Sequence, residues 1–299
     1  MTNLVTLTRV RMMLALRNKM FFFFSVIMPL GFFFLYAGVF AKGEPHAVQF
    51  FLGPVLALNV MGSFWGLSAT LVSFREQGIL RRFHVAPVSA SDMLASSVLA
   101  NFVLTLPTVL TILLLARVVF HVKDFGNLPA AFLFVCIGTV SFGSLGLVVA
   151  SITNTMQETQ VLNQLLWLPL IFLSGATLPL AFLPKIAQGF AVFLPATYLV
   201  TGLQQATMFS RGIGQLLVYF ISLAIWSVLS FFVASQLFRW EPETKIPRNA
   251  KMWAAATIIP FVLLGIWEHS NGKMLNEAQT AYRLVNQPDN PPAKDAPKN

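Results

Sequence analysis

FGNLPAAFLFVCIGTVSFGSLGLVVASITNTMQ, residues 125–157, contains no Asp, Glu, Lys or Arg. A transmembrane helix needs about 20 mostly apolar residues, and a charge at bilayer depth costs about 2.5–3.5 kcal/mol on insertion scales. A charge-free stretch of this length therefore reads as a membrane span. Similar runs lie at 20–41, 45–74, 93–116, 159–184, 186–210, 212–238 and 252–267. Of the 299 residues, 56% are hydrophobic and 10% charged, against roughly 25% charged in an ordinary soluble domain. Such a chain cannot cover itself with polar surface, which excludes a soluble globular enzyme. Disorder is excluded as well, because it requires low hydrophobicity and high charge. The fold class is an all-α polytopic membrane protein.

The run at 186–210 is interrupted by Gly189, Pro195 and Gly202 and carries a polar stretch from Thr197 to Gln205. Backbone broken at membrane depth needs protein cover. Residues 183–208 are therefore expected to form two short re-entrant helices broken at Pro195. Seven spans remain, at roughly 20–40, 51–74, 93–117, 128–150, 160–178, 215–238 and 252–268. With the N-terminus inside, Arg9, Arg11, Arg17, Lys19, Arg75, Arg81, Arg82, Arg239, Lys245, Arg248 and Lys251 fall in inner segments, eleven of the twenty Lys and Arg. Five (Lys42, Arg117, Lys123, Lys185 and Arg211) fall in short outer loops. That bias supports a cytoplasmic N-terminus and an outer C-terminal tail. The net charge of +9 follows from these loops and not from a nucleic-acid surface. Residues 1–19 place Leu4, Leu7, Val10 and Leu14 near one helical face, with Arg9 and Arg17 away from it. This suits an interfacial helix or a plain basic anchor. Val39, Phe40 and Ala41 imitate a signal-peptide cleavage site, but the apolar run exceeds the usual 7–15 residues. Residues 241–268 read as a basic linker and last span, and 269–299 as a polar, flexible tail.

Several chemistries are missing. No GxxxxGK[ST] loop exists to cradle a nucleotide. His46, His84, His121 and His269 fall in loops or at span ends, so no Ser–His or zinc site lies at depth. One cysteine, Cys136, supports neither an intrachain disulfide nor a metal set. Proton- and ion-coupled carriers keep acidic or His relays inside the bundle, whereas Asp92, Glu158 and Glu241 sit near span ends. Proton coupling is therefore not expected, sodium coupling through backbone carbonyls stays open, and energy for uphill transport is expected to enter from another polypeptide. An ATPase-independent channel or secondary carrier is the alternative.

Between the second and third spans the chain reads SFREQGILRRFHVAPVS, residues 73–89. Arg75 suits a helix C-terminus. Ile79, Leu80 and Phe83 recur at helical spacing beside Arg81 and Arg82, Pro87 stops the turn, and Ser89, Ser91 and Asp92 open the next span. The result is a short inner helix joined to two spans, or an ordinary positive-inside loop. Further on lie Phe172-Leu173-Ser174-Gly175-Ala176-Thr177-Leu178-Pro179-Leu180, Leu183-Pro184 and Phe193-Leu194-Pro195-Ala196-Thr197-Tyr198.

The first stretch resembles the cytoplasmic loop of the ABC transporter type-2 permeases, whose pattern is Arg-Glu-x-Gly-x-Leu-x-Arg followed by Pro-(Val/Leu)-Ser. The second resembles the fifth span of that family and the re-entrant outer helices after it. Together, in order, the two motifs cover roughly residues 1–240 with a six-span core. The span at 252–268 is additional. The resemblance implies a permease subunit that exports a hydrophobic or amphiphilic substrate across the plasma (inner) membrane, as a homodimer or with a homologous permease. ATP–Mg is then bound by a separate cytosolic ATPase, and no cofactor by this chain. Arg75, Glu76, Gly78, Leu80, Arg81, Arg82, Phe83 and Pro87 become the ATPase-coupling loop. Ser174, Gly175, Pro179, Pro184, Pro195 and Tyr198 become the gate region. Phe64, Asn163, Gln164 and Trp167 are candidates for a substrate path, with interhelical packing as the plainer reading. Gly62-x-x-x-Gly66 with Ala69, and Gly138, Gly143 and Gly146, permit close helix contact or are chance spacings.

Overall fold

The structure is a computed structural model that describes residues 2–16, 26–84, 89–240 and 249–285. The described elements are helical: α1 (Thr2–Leu16), α2 (Met28–Phe34, continued as a π-helix over Leu35–Phe40), α3 (Pro45–Met61), α4 (Ser63–Glu76), α5 (Ile79–His84), α6 (Ala90–Val118), α7 (Leu128–Ile152), α8 (Met156–Leu173), α9 (Lys185–Ala191), α10 (Pro195–Phe209), α11 (Leu217–Leu237), α12 (Ala250–Ala256), α13 (Ile259–Asn271) and α14 (Lys273–Val285). Among the described residues, five helical stretches are long and apolar enough to cross a membrane, or six with the bent pair α9–α10. These are Pro45–Glu76, Ala90–Val118, Leu128–Ile152, Leu217–Leu237 and Ala250–Asn271.

The apolar run quoted at the outset becomes α7, the central post. It packs against α11, α4, α10, α6 and α3. Its small residues allow this: Gly138, Ser141, Gly146 and Ala150 are buried among neighbouring helices. A Cβ on Gly146 would lie 2.3 Å from the Phe64 backbone oxygen, and one on Gly138 would lie 2.7 Å from a Leu199 methyl. Small residues at helix seams let backbones approach and gain dispersion contacts, the main attraction between helices in lipid. The Gly62-x-x-x-Gly66 spacing serves no such seam. Nothing lies within 4 Å of a Cβ on Gly66, and Gly62 meets only the carbonyls of its own preceding turn. Gly62 instead marks the break between α3 and α4.

Three expected boundaries shift. The fifth span, expected over 160–178, is the helix Met156–Leu173. Residues 174–178 leave the helix because Gly175 adopts φ +89° and Pro179 follows. The N-terminal segment is a helix, but its buried face is Leu7, Thr8 and Arg11, while Val10 and Leu14 turn outward. It docks against α6 through that face, so the residues expected on one stripe are divided between the docked side and an apolar outward side. Of the expected tail over 269–299, Lys273–Val285 forms α14 and residues 286–299 lie outside the described residues. Met274, Ala278 and Ala281 are buried, which places one face of α14 on residues 180–182. The Glu268 carboxylate accepts from the Met274 N–H, and the Phe182 and Tyr282 rings meet edge-on at 4.6 Å.

Seam packing gives a direct test. Gly146→Ala is expected to lose about 1–3 kcal/mol by overpacking against backbone, read as a lower denaturation midpoint in detergent. Gly66→Ala, made in the open, is expected to leave the midpoint unchanged or raised.

Candidate functional site

At one end of the bundle two guanidinium groups converge on a single turn. Arg75, near the end of α4, is 1% exposed. Its Nη1 donates to the Ala150 carbonyl at 2.9 Å and its Nη2 to the Thr153 carbonyl at 2.6 Å. Arg239, beyond α11, donates to the same Thr153 carbonyl at 2.8 Å, to Ser151 O at 3.3 Å and to Asn154 Oδ1 at 3.0 Å. The last carbonyls of a helix have no partner within it and carry partial negative charge. Here the carbonyls that end α7 and open the following turn receive forks from α4 and from the segment just beyond α11. A planar fork fits such paired acceptors; an ammonium does not. Burial pushes the Arg239 guanidinium below its ordinary value, and Glu158 pulls it back up.

The next residue in the motif does the complementary task. Glu76 accepts from the Met156 N–H, the first of α8, at 2.8 Å. Thr155 caps the same helix by accepting from the Glu158 N–H at 3.2 Å, and Glu158 reaches back to the Asn154 N–H at 2.7 Å. Carboxylates belong at helix N-termini for the same electrostatic reason that cations belong at C-termini. The pair Arg75-Glu76 thus ties α4 to the end of α7 and to the start of α8.

Gly78 follows in the left-handed region, φ +69°, with its N–H on the Arg75 carbonyl at 3.0 Å. That conformation is open to glycine and ends α4. It lets the short helix α5 leave in a new direction. Leu80 is fully buried and packs in a cluster with Leu71, Met93, Leu94 and Leu147, while Arg81 is exposed. Arg82 and Phe83 lie on α5, whose backbone alone is described there, and Pro87 lies outside the described residues. Ser89 caps α6, accepting from the Asp92 N–H at 3.0 Å. Of the expected coupling residues, then, Arg75, Glu76, Gly78 and Leu80 anchor α5, and Arg81 faces outward. Sequence reasoning missed Arg239, Thr153, Asn154 and Glu158 as members of the cluster. Only Thr155-x-x-Glu158, a capping spacing, was legible.

At the opposite end α9 and α10 meet at 92°. Pro195 opens α10, and Pro184 accepts from the Gln188 N–H to start α9. The elbow is held by side chains that satisfy the last carbonyls of α9: Thr197 Oγ1 donates to Ala191 O at 2.6 Å and Tyr198 Oη to Val192 O at 3.0 Å. Ser174 is buried and its Oγ accepts from the Ala176 N–H at 3.3 Å. Gly175 and Pro179 flank it in the turn out of α8. The additional C-terminal helices cover this elbow. Phe261 packs on Tyr198 at 5.2 Å, and Arg211 pairs with Glu277 at 2.6 Å.

The four candidates for a substrate path separate. Phe64 and Trp167 pack together at 5.8 Å. Asn163 is buried and exchanges hydrogen bonds with Ser68 at 2.8 and 3.1 Å. These three form the seam between α4 and α8, whereas Gln164 faces outward. Neighbours on a helix point about 100° apart, so both amides could not share that seam.

If the fork closes the α7–α8 turn, Arg75→Lys is expected to destabilise the chain by about 1.5–3 kcal/mol, the worth of a charge-assisted hydrogen bond. The 153–155 turn should then become cleavable by protease in detergent. An unchanged midpoint with an uncut turn would show that the fork is dispensable.

The profile of the ABC-2 type transporter family matches residues 2–208. The chain is 26% identical over 187 residues to the inner membrane transport permease YhhJ of Escherichia coli, a stretch covering 62% of this chain and 48% of that protein. It therefore spans about half the length of that relative. It is 25% identical over 239 residues to the putative transport permease ycf38 of Cyanophora paradoxa, covering 72% and 81% of the two chains. With the linearmycin resistance permease protein LnrN of Bacillus subtilis it shares 27% identity over 148 residues, 50% and 38% of the two. No solved structure matches the chain significantly. Helical architecture, family match and permease relatives agree: this chain belongs to the ABC-2 type transporter family of membrane permeases.

Proposed function

We propose that the chain is the membrane subunit of an ATP-driven exporter, working as a pair of permeases with a separate cytosolic ATPase that binds ATP–Mg. The observation that carries the reading is the Arg75-Glu76 tie. It makes α5 a lever with short arms on four helices: α4 by sequence, α6 through Leu80 and Met93, and α7 and α8 through hydrogen bonds. ATP-driven closure of the ATPase dimer pushes α5, and the push reaches the α4–α8 seam. A two-state bundle biased by a partner is what such coupling needs.

The charge distribution supports an inner-membrane protein with α5 and the N-terminus on the cytoplasmic side. The elbow of α9 and α10 then lies at the outer end, where it serves as the gate. The substrate class is hydrophobic or amphiphilic, in keeping with the aromatic pair Phe64–Trp167 beside the polar pair Asn163–Ser68 in the α4–α8 seam and with the resistance function in the LnrN name.

The test co-expresses this chain with a cytosolic ABC ATPase from the same genome and follows their co-purification. Arg81→Glu combined with Arg82→Glu is expected to leave insertion and the denaturation midpoint intact. It should lower recovery of the ATPase and its stimulated ATP hydrolysis about tenfold, the scale of losing one charge-assisted contact. Full recovery and full stimulation by that variant would contradict the lever.

A further inference from the structure

Among the described residues, Arg11 is buried without a counter-charge. It is 9% exposed, and its described contacts are a 3.3 Å hydrogen bond to the Met93 sulfur and the face of the Phe74 ring at 5.7 Å. A thioether is a weak acceptor and a ring face a modest one, so most of the five guanidinium donors have no strong partner. The nearby carboxylates are occupied elsewhere: Asp92 accepts from Ser89 Oγ at 2.7 Å, and Glu76 from Met156. Burial lowers Arg11 only to about 10, so it remains a cation at neutral pH. The guanidinium N–H groups left without a strong partner are not sealed inside the protein; they open on the cavity that Arg11 lines, where an anion can meet them.

The surroundings indicate which anion. Arg11 lines a cavity of ≈ 290 Å³ with Leu7, Val10, Leu14, Phe74, Gln77, Ile79 and Met93. This lining is greasy apart from the guanidinium and one amide. The outward surface of α1 is greasy too, with Val5, Val10, Met13, Leu14 and Leu16 exposed. A helix of that kind beside the ends of α4 and α6 belongs at the boundary of headgroups and acyl chains. We propose that this cavity binds one anionic phospholipid, its phosphate on Arg11 and its upper acyl segment along Leu7, Val10, Leu14 and Ile79. Bound lipid wedges α1 against α4 and α6 beside the base of α5. The site is independent of the ATPase reading.

Native mass spectrometry of the delipidated chain, titrated with phosphatidylglycerol or phosphatidylcholine, tests this. The wild type is expected to retain one phosphatidylglycerol with about tenfold preference, the scale of one charge-assisted contact. Arg11→Met should abolish the preference, while Arg9→Met, on the exposed side of α1, should keep it. Leu14→Trp retains the cation but fills the cavity, and should lose retention of the lipid. It keeps the test decisive if Arg11→Met fails to fold. Preference surviving in Arg11→Met, retention surviving in Leu14→Trp, or displacement of the lipid by inorganic phosphate would each overturn the assignment. So would an Arg11→Met variant that keeps its lipid preference but no longer co-purifies with the ATPase, since Arg11 would then serve a protein partner.

Discussion

The Thr153 carbonyl, held by two guanidinium groups at 2.6 and 2.8 Å, is the constraint on which this end of the bundle depends. A helix that ends at a membrane interface leaves several carbonyls to satisfy. Water could do this, but water holds nothing in place. Arg75 reaches from α4 and Arg239 from the segment beyond α11, so the end of α7 is fixed relative to both. Glu76 adds the start of α8. Three helix termini are thereby joined within one hydrogen-bonded cluster, and the short helix α5 projects from it.

This arrangement alters the sense of the Arg-Glu motif. Read as sequence, the pair belongs to a cytoplasmic surface. Folded, Arg75 is buried and Glu76 is engaged, so the motif is the mounting and not the contact face. The contact face we propose is what the mounting presents, the outward side of α5 with Arg81. A mounting made of charge-assisted bonds suits a lever, because such bonds are directional and resist shear, whereas apolar contacts alone permit sliding. The far end is built on the same principle. Thr197 and Tyr198 close the carbonyls of α9, so the 92° elbow is a defined shape.

Much of the fold was legible because bilayer spans obey a one-dimensional rule. The runs that became α6, α7, α11 and the α12–α13 stretch were bounded by charges. The elbow was announced by Pro195 and the polar residues after it. Less legible were features that depend on direction in space. Asn163 and Gln164 are adjacent and equally polar, yet only Asn163 meets Ser68. Gly66 sits in a GxxxG spacing that faces open space, while Gly146, without that spacing, meets the Phe64 backbone. The partners of Arg75 lie 75 and 78 residues away in the chain, beyond any local pattern. The helix α14 hid for a different reason. Its small apolar face, Met274, Ala278 and Ala281, was outweighed by the polarity of the segment as a whole.

The account stands or falls on whether α5 moves as one body with the α7–α8 hairpin. Paired spin labels at Arg81→Cys and Gln160→Cys, in a Cys136→Ala background, measure that separation in the ATPase complex before and after ATP. A lever mounted through Arg75 and Glu76 predicts an unchanged 81–160 distance, while a pair spanning from Arg81→Cys to Trp253→Cys shifts. A change between 81 and 160 on ATP binding would show that α5 swings free of its mounting, and would contradict the mechanism.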